Sequence, residues 1–298
     1  MHSIKQWRTL NIQNAHPRDA HIQFDEKTHT YSIDGSYAGY ISVTKLIHCF
    51  FPEFNADEII HKMQNSSKWP ENKYFGKTAY EIKEEWNNNG KSASSAGTKM
   101  HFAIEQFMNG AGGMINENMK ISPEWTYFQK FWKDYGPDIE PYRTEWEVWA
   151  KDIKLAGSID CVFRRKSDGK YIIYDWKRSK EIKTDNSFET GYSPVNHLPN
   201  SNYWHYTIQL NIYRWILETY YNLEIADMYL IILHPDNKSY CRMRLNRLEN
   251  EIKDILDTRN NAVIDGCKKY VVLPTICNGI SSSDTDDECD NTSFQIKF

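Results

Sequence analysis

The chain has 298 residues, 40% of them hydrophobic and ten of them Trp, enough for a sizeable core in one large or two small domains. Its six cysteines (Cys49, Cys161, Cys241, Cys267, Cys277, Cys289) contain no C-x-x-C pair, which argues against a zinc ribbon and for reduced intracellular thiols, and no run of eighteen apolar residues marks a membrane span. The net charge of −4 sits at the C-terminal end: residues 279–298 hold five acids and one base, and removing these from the totals of 40 and 36 leaves 35 of each sign, so attraction to phosphate must come from a local patch.

The first 18 residues carry Lys5, Arg8 and Arg18 without an acid, an ordinary basic N-terminus rather than a targeting peptide. Residues 21–44 predict short strands around an Asp34-Gly35 turn, followed by a helix over about 43–50. Phe50, Phe51 and Phe54 around Pro52 form an apolar corner, and 56–64 is a further short helix. Between 68 and 90, Trp69, Tyr74 and Phe75 interleave with Lys73 and Lys77. Such interleaving can grip a nucleic-acid strand, although core aromatics beside solvated lysines are the commoner outcome. A charged helix over 81–89 ends at Gly90, and a new helix starts near Gly97 with Ser95 or Thr98 as N-cap. Gly110, Gly112 and Gly113 mark a mobile loop. An aromatic helix follows over 125–135, then a strand over 142–150 on which Glu145 and Glu147 alternate as second-rank site candidates.

Residues 153–165 and 170–177 predict two strands joined by the turn Ser167-Asp168-Gly169. A two-residue Asp168-Gly169 loop pairs Asp160 with Lys177, whereas a Ser167-Asp168 loop pairs Asp160 with Asp175. Either register puts Asp160, Asp175 and Lys177 on one face, because strand side chains alternate. Two carboxylates and an ammonium converging on one sheet face are costly as core packing, and a divalent cation such as Mg²⁺ or Mn²⁺ would remove the penalty. The plain alternative is a solvent-facing hairpin with a cross-strand ion pair worth under about 1 kcal/mol.

The polar loop 181–202, with Gly191, Pro194 and Pro199, is long enough to be a lid or mobile segment bordering a substrate channel. A helix over 203–221 carries Tyr206, Gln209 and Tyr213 at helical spacing. Strands over 228–234 and 240–245 and an amphipathic helix over 248–264 close the body, with the apolar run 270–276 docked on it. The short connections favour one domain over 1–278, divided into an N-terminal hairpin and helical subregion (about 1–92) and a core (93–278). Residues 279–298, with Ser281, Ser282 and Ser283 beside the acids, form a disordered acidic tail.

On the helix beginning near Gly97, His101 and Glu105 are four apart and share a face. Taken in order, G-x-x-x-H-x-x-x-E (Gly97, His101, Glu105), G-S-I-D (157–160), D-W-K (175–177) and Q-x-x-x-Y (Gln209, Tyr213) resemble the PD-(D/E)xK nucleases of the RecB type and the related exonucleases of phages and large DNA viruses. The N-terminal segments 31–35 and 41–44 resemble the hairpin and helix entry of the viral members. The resemblance covers roughly residues 21–235 and implies an α/β (α+β) fold, with a central mixed sheet of restriction-endonuclease type flanked by helices. The cysteine spacing departs from relatives that carry a four-cysteine iron-sulfur staple.

The resemblance implies a divalent-metal-dependent DNA nuclease, an exonuclease acting on free ends in recombination, repair or replication-end processing. Asp160, Asp175 and the backbone carbonyl of Trp176 would hold Mg²⁺ or Mn²⁺, and His101 would add an imidazole ligand as in the RecB-type branch. Lys177 would position and deprotonate water or stabilise the charged phosphorus centre, and Glu105 would bind a second metal or orient its waters. Gln209 and Tyr213 would hold the strand or the lysine, while Ser179 and Arg178 would contact phosphate. Competing expectations are a nuclease-fold protein that grips DNA without cutting, and an acid/base hydrolase using Asp160 and Asp175.

Overall fold

The apolar alternation of the central hairpin builds a sheet. The computed structural model describes residues 7–265. In chain order these form α1 (Thr9–Gln13), β1 (Ile22–Asp25), β2 (Thr30–Ile33), β3 (Ile41–Ser42), α2 (Val43–His48), α3 (Ala56–Gln64), α4 (Ala79–Met108), α5 (Glu117–Lys120), α6 (Pro123–Tyr135), β4 (Ile139–Ala150), β5 (Leu155–Arg165), β6 (Tyr171–Lys177), α7 (Asn202–Tyr220), β7 (Ile225–Ile232), β8 (Cys241–Arg244) and α8 (Glu249–Ile264). β1 and β2 form a separate hairpin, and the other six strands form one mixed sheet in the order β3-β5-β6-β7-β8, with β4 also paired to β5. The fold class is α/β (α+β), an open mixed sheet flanked by helices.

β5 pairs antiparallel with β4 along its length. Its other edge is shared, with β3 running parallel at Leu155 and Ala156 and β6 antiparallel from Cys161 to Arg164. Residues 157–160, the G-S-I-D segment, therefore lie where β3 and β6 part. The β6 pairing sets Cys161 opposite Tyr174, the register that brings Asp160 level with Asp175. The connecting loop is wider than two residues: Arg165 N–H donates to Lys170 O, Gly169 N–H to Arg165 O, and Gly169 takes φ +74°. β6 and β7 are parallel, a pairing that requires a long crossover, and α7 supplies it.

Two layers of helices bury the sheet. On one face α2, α7 and α8 pack through Leu46, Ile208, Ile212, Ile216 and Ile255 onto Trp146, Val148, Ile159, Val162 and Ile173. On the other face the C-terminal half of α4 and α6 pack through Met100, Ile104, Phe128 and Phe131 onto Cys161, Phe163, Tyr174 and Trp176.

Several expectations change. α4 is one 30-residue helix, neither stopped at Gly90 nor started at Ser95 or Thr98; its N-cap is Thr78, which forms a capping box with Glu81. Glycine weakens a helix by about 1 kcal/mol but does not end it unless a left-handed residue is needed there, and both ends of α4 are held by packing. The Asp34-Gly35 turn follows β2 instead of joining β1 to β2, and it closes the Ile33–Ser36 bridge. Tyr74 and Trp86 join Ile60 and Ile82 in a small core between α3 and the start of α4, and Trp86 Nε1–H donates to the Tyr74 hydroxyl (2.8 Å). The aromatics of 68–90 are thus partly core, while Phe75 remains exposed.

The segment 181–202 is anchored: Val195 and Leu198 are buried, Tyr192 N–H donates to Phe50 O, and Asn200 donates to Pro52 O. Gly110–Met114 turns tightly through a 3-10 stretch, with Ala111 N–H bonded to Gln106 O. The run 270–276 and the acidic tail lie outside the described residues. Among the described residues no helix is long and apolar enough to cross a membrane.

Candidate active site

The site forms where the alternation of two strands changes phase. On β4, Thr144 bonds to Asn109 of α4 while Trp146 packs in the core on the α7 side; on β5, Cys161 faces α4 and α6 while Ile159 faces α7. Regular strands would place Thr144 with Trp146, and Ile159 with Cys161, on common faces. The change falls at Glu145 and Asp160. Glu145 takes φ +43°, a left-handed backbone that costs a non-glycine residue about 1–2 kcal/mol and marks a position held by its surroundings.

His101, Glu145 and Asp160 meet there, each offering a ligand atom within 4.8 Å of the others. Packing of Met100, Ala103 and Ile104 on the sheet fixes the rotation of α4 that delivers His101. His101 Nε2 lies 2.8 Å from the Trp176 carbonyl and Nδ1 lies 3.6 Å from Asp160 Oδ2. With the proton on Nε2, donated to that carbonyl, Nδ1 turns its lone pair to the carboxylates, a common arrangement for a metal-binding imidazole. The Trp176 carbonyl, expected as a metal ligand, holds the imidazole. Asp160 Oδ2 accepts the Trp176 N–H (2.9 Å) across the split between β5 and β6. Burial, followed by the carboxylates of Asp160 and Glu105, raises the Glu145 pKa well above the usual range. The Arg8 guanidinium opposes this rise without cancelling it, and a hard divalent cation fits the nitrogen-and-oxygen donor set.

Asp175 and Lys177 share the α7 face of β6 as alternation requires, and Lys177 Nζ sits 2.6 Å from Asp175 Oδ2. Asp160 stands at the phase change of β5, level with Asp175 in the β5–β6 register. Asp175 is 4% exposed and engaged by the lysine; it is not one of the three converging donors, and Glu145 takes the place foreseen for it. Lys177 Nζ also lies 4.5 Å from the centre of the Tyr206 ring. Burial disfavours its charged form, but the carboxylates of Asp175 and Asp160 outweigh burial and raise its pKa.

The remaining foreseen residues are not among the three converging donors. Glu105, one turn beyond His101, is 4% exposed and paired to Arg8 (2.7 Å). Gln209 Nε2 donates to the Tyr213 hydroxyl (3.4 Å), and the Tyr213 ring lies over Gly157, where an added Cβ would meet it at 2.7 Å. The glycine of G-S-I-D is thus a packing requirement. Ser179 is buried and donates to Glu181 O, and Arg178 pairs with Glu124 of α6 (2.7 Å). Sequence reasoning ranked Glu145 second and gave Arg8 no site role; the left-handed turn at Glu145 and a contact between residues 8 and 105 leave no local signal.

No family model matches the sequence, and no curated protein matches it either. Among solved structures the chain is similar to the protein SSO0001 (16% identity, TM-score 0.32, 76% of this chain and 78% of that one covered). It is similar also to a candidate exonuclease from Eubacterium rectale (11% identity, TM-score 0.34, 63% and 76% covered). Likenesses this distant carry no argument about activity, which rests on the site.

Proposed function

We propose that this protein is a divalent-metal-dependent DNA nuclease, acting as an exonuclease on free ends in recombination, repair or replication-end processing. One observation carries the reading: an imidazole and two carboxylates (His101, Glu145, Asp160) converge beside a half-buried lysine paired to Asp175. His101, Glu145 and Asp160 would hold Mg²⁺ or Mn²⁺. Such an ion, when bound, neutralises charge on phosphate oxygens and makes its water more acidic.

The protein's own groups do the rest. Lys177, held by Asp175, would place a positive charge for the phosphorus centre or position the attacking water. Asp175 holds that ammonium in place, and Tyr206 flanks it on the α7 side. The Trp176 backbone orients both Asp160, through its N–H, and His101, through its carbonyl. Gln209 and Tyr213 support β5 at Gly157.

End-labelled linear single- and double-stranded DNA and closed circles, incubated with the protein in Mg²⁺, Mn²⁺ or EDTA, test the reading. Linear DNA should be degraded only with metal, closed circles should survive, and Asp160→Asn and Lys177→Gln should each lower the rate at least about 100-fold. Gln retains a donor for Asp175, which would otherwise lose its ion pair in a buried position. Cutting undiminished by EDTA, or no cutting of any substrate, would overturn it; DNA retention without cutting would favour the binding-only reading.

A further inference from the structure

Four carboxylates approach the site, but two already have a basic partner. Asp175 is matched by Lys177 at 2.6 Å, and Glu105 by Arg8 at 2.7 Å. Asp160 and Glu145 form no ion pair with a lysine or arginine among the described residues, and they share the imidazole of His101. With His101 they are the three donors that converge on one position. A second dication would require Glu105 to leave its guanidinium.

Arg8 is built in. Leu10, two residues on, is buried in the core beside α4, and α1 is fastened to the end of that helix by Thr9 Oγ1–H to Asn109 O and Leu10 N–H to Asn109 Oδ1, each 3.0 Å. Asn109 in turn donates to Glu105 O and to Thr144 Oγ1, each 2.9 Å, tying this anchor to the residue before Glu145. A guanidinium keeps its charge at every working pH, so the pairing does not switch off in neutral or alkaline solution.

We propose that Arg8 is a resident counter-cation for Glu105 which limits the site to one divalent ion; the inference rests on the metal-dependent reading above. Arg8 is thus a positioning residue that sets metal count. Without the guanidinium that engages it, Glu105 would be open to a second divalent ion.

The test is the number of Mn²⁺ ions bound per full-length chain, counted by electron paramagnetic resonance of free Mn²⁺ and by calorimetry. The wild type should bind one, Arg8→Gln two, Arg8→Lys one, and the double variant Arg8→Gln/Glu105→Gln one. No binding by the folded wild type would sink the metal reading itself and this inference with it. Two ions in the wild type, or one in a folded Arg8→Gln, would overturn the inference alone. Should Arg8→Gln not fold, Glu105→Gln decides: with Arg8 present it should still bind one ion, at an affinity within about 100-fold of wild type, and a larger loss would make Glu105 a ligand and refute the assignment.

Discussion

Gly157 shows at the scale of one residue how packing and chemistry share a motif. An alanine there would place Cβ 2.7 Å from Tyr213 Cε1 and 2.8 Å from its hydroxyl, and the buried ring has little room to retreat. Overpacking of this kind costs about 1–3 kcal/mol. Gly157→Ala should therefore unfold at lower urea concentration, and Tyr213→Leu should recover part of the loss through a coupling of about 0.5 kcal/mol or more in a double-mutant cycle. Strictly additive effects would show that the two side chains do not meet. Asp160, Asp175 and Lys177 were legible because the strand period and the turn between them place them near one another from local rules alone. Glu145 was only half legible: alternation brought it to the correct strand, but its left-handed backbone, which turns it into the donor cluster, answers to surroundings that its neighbours in sequence do not encode. Arg8 was not legible as a site residue, since nothing near it in the chain points to a carboxylate 97 positions away.

At the scale of elements, the strands and α7 follow their apolar periodicity, whereas α4 overrides its own breakers. Ile82 and Trp86 fix its first turns in the small core with α3, and Met100, Ile104 and Met108 fix its last turns on the sheet. The span between is bridged by backbone hydrogen bonds despite Gly90 and Gly97, because helix ends held by tertiary contacts carry a weak middle. A Cβ at either glycine meets no atom within 4 Å. Gly90→Ala and Gly97→Ala should thus each stabilise the protein by about 0.5–1 kcal/mol, measured by urea denaturation. A loss of stability at either would mean that the helix is not continuous through that point. The 181–202 segment errs the other way. Its length and polarity suggested mobility, but Val195 and Leu198 insert into the core, and a pair of apolar residues in a polar loop was the available clue.

For the whole molecule, the metal-free site makes stability depend on pH with a sign that can be worked out. Glu145 is raised above its usual 4.5 by burial and then by Asp160 and Glu105, and Glu147 is raised to about 7, chiefly by burial. The folded chain therefore binds protons that the unfolded chain has released, and this contribution is lost as pH rises through the raised values. His205 acts oppositely, since burial and then His48 lower it to about 4 from 6.5, so its contribution is lost as pH falls through that interval. By about pH 7 the histidine is mostly neutral in both states, while Glu147 is still giving up its proton in the folded chain. In EDTA the melting temperature should accordingly decline as pH rises from about 6.5 through about 7. A divalent ion binds the deprotonated carboxylates of the folded state, adding about 2.7 kcal/mol at a concentration 100 times its dissociation constant. Thermal unfolding in Mg²⁺ or Mn²⁺ and in EDTA should therefore diverge more at pH 8 than at pH 6. Superimposed curves at pH 8 would mean that His101, Glu145 and Asp160 hold no ion, and that the charge they concentrate is balanced by the protein alone.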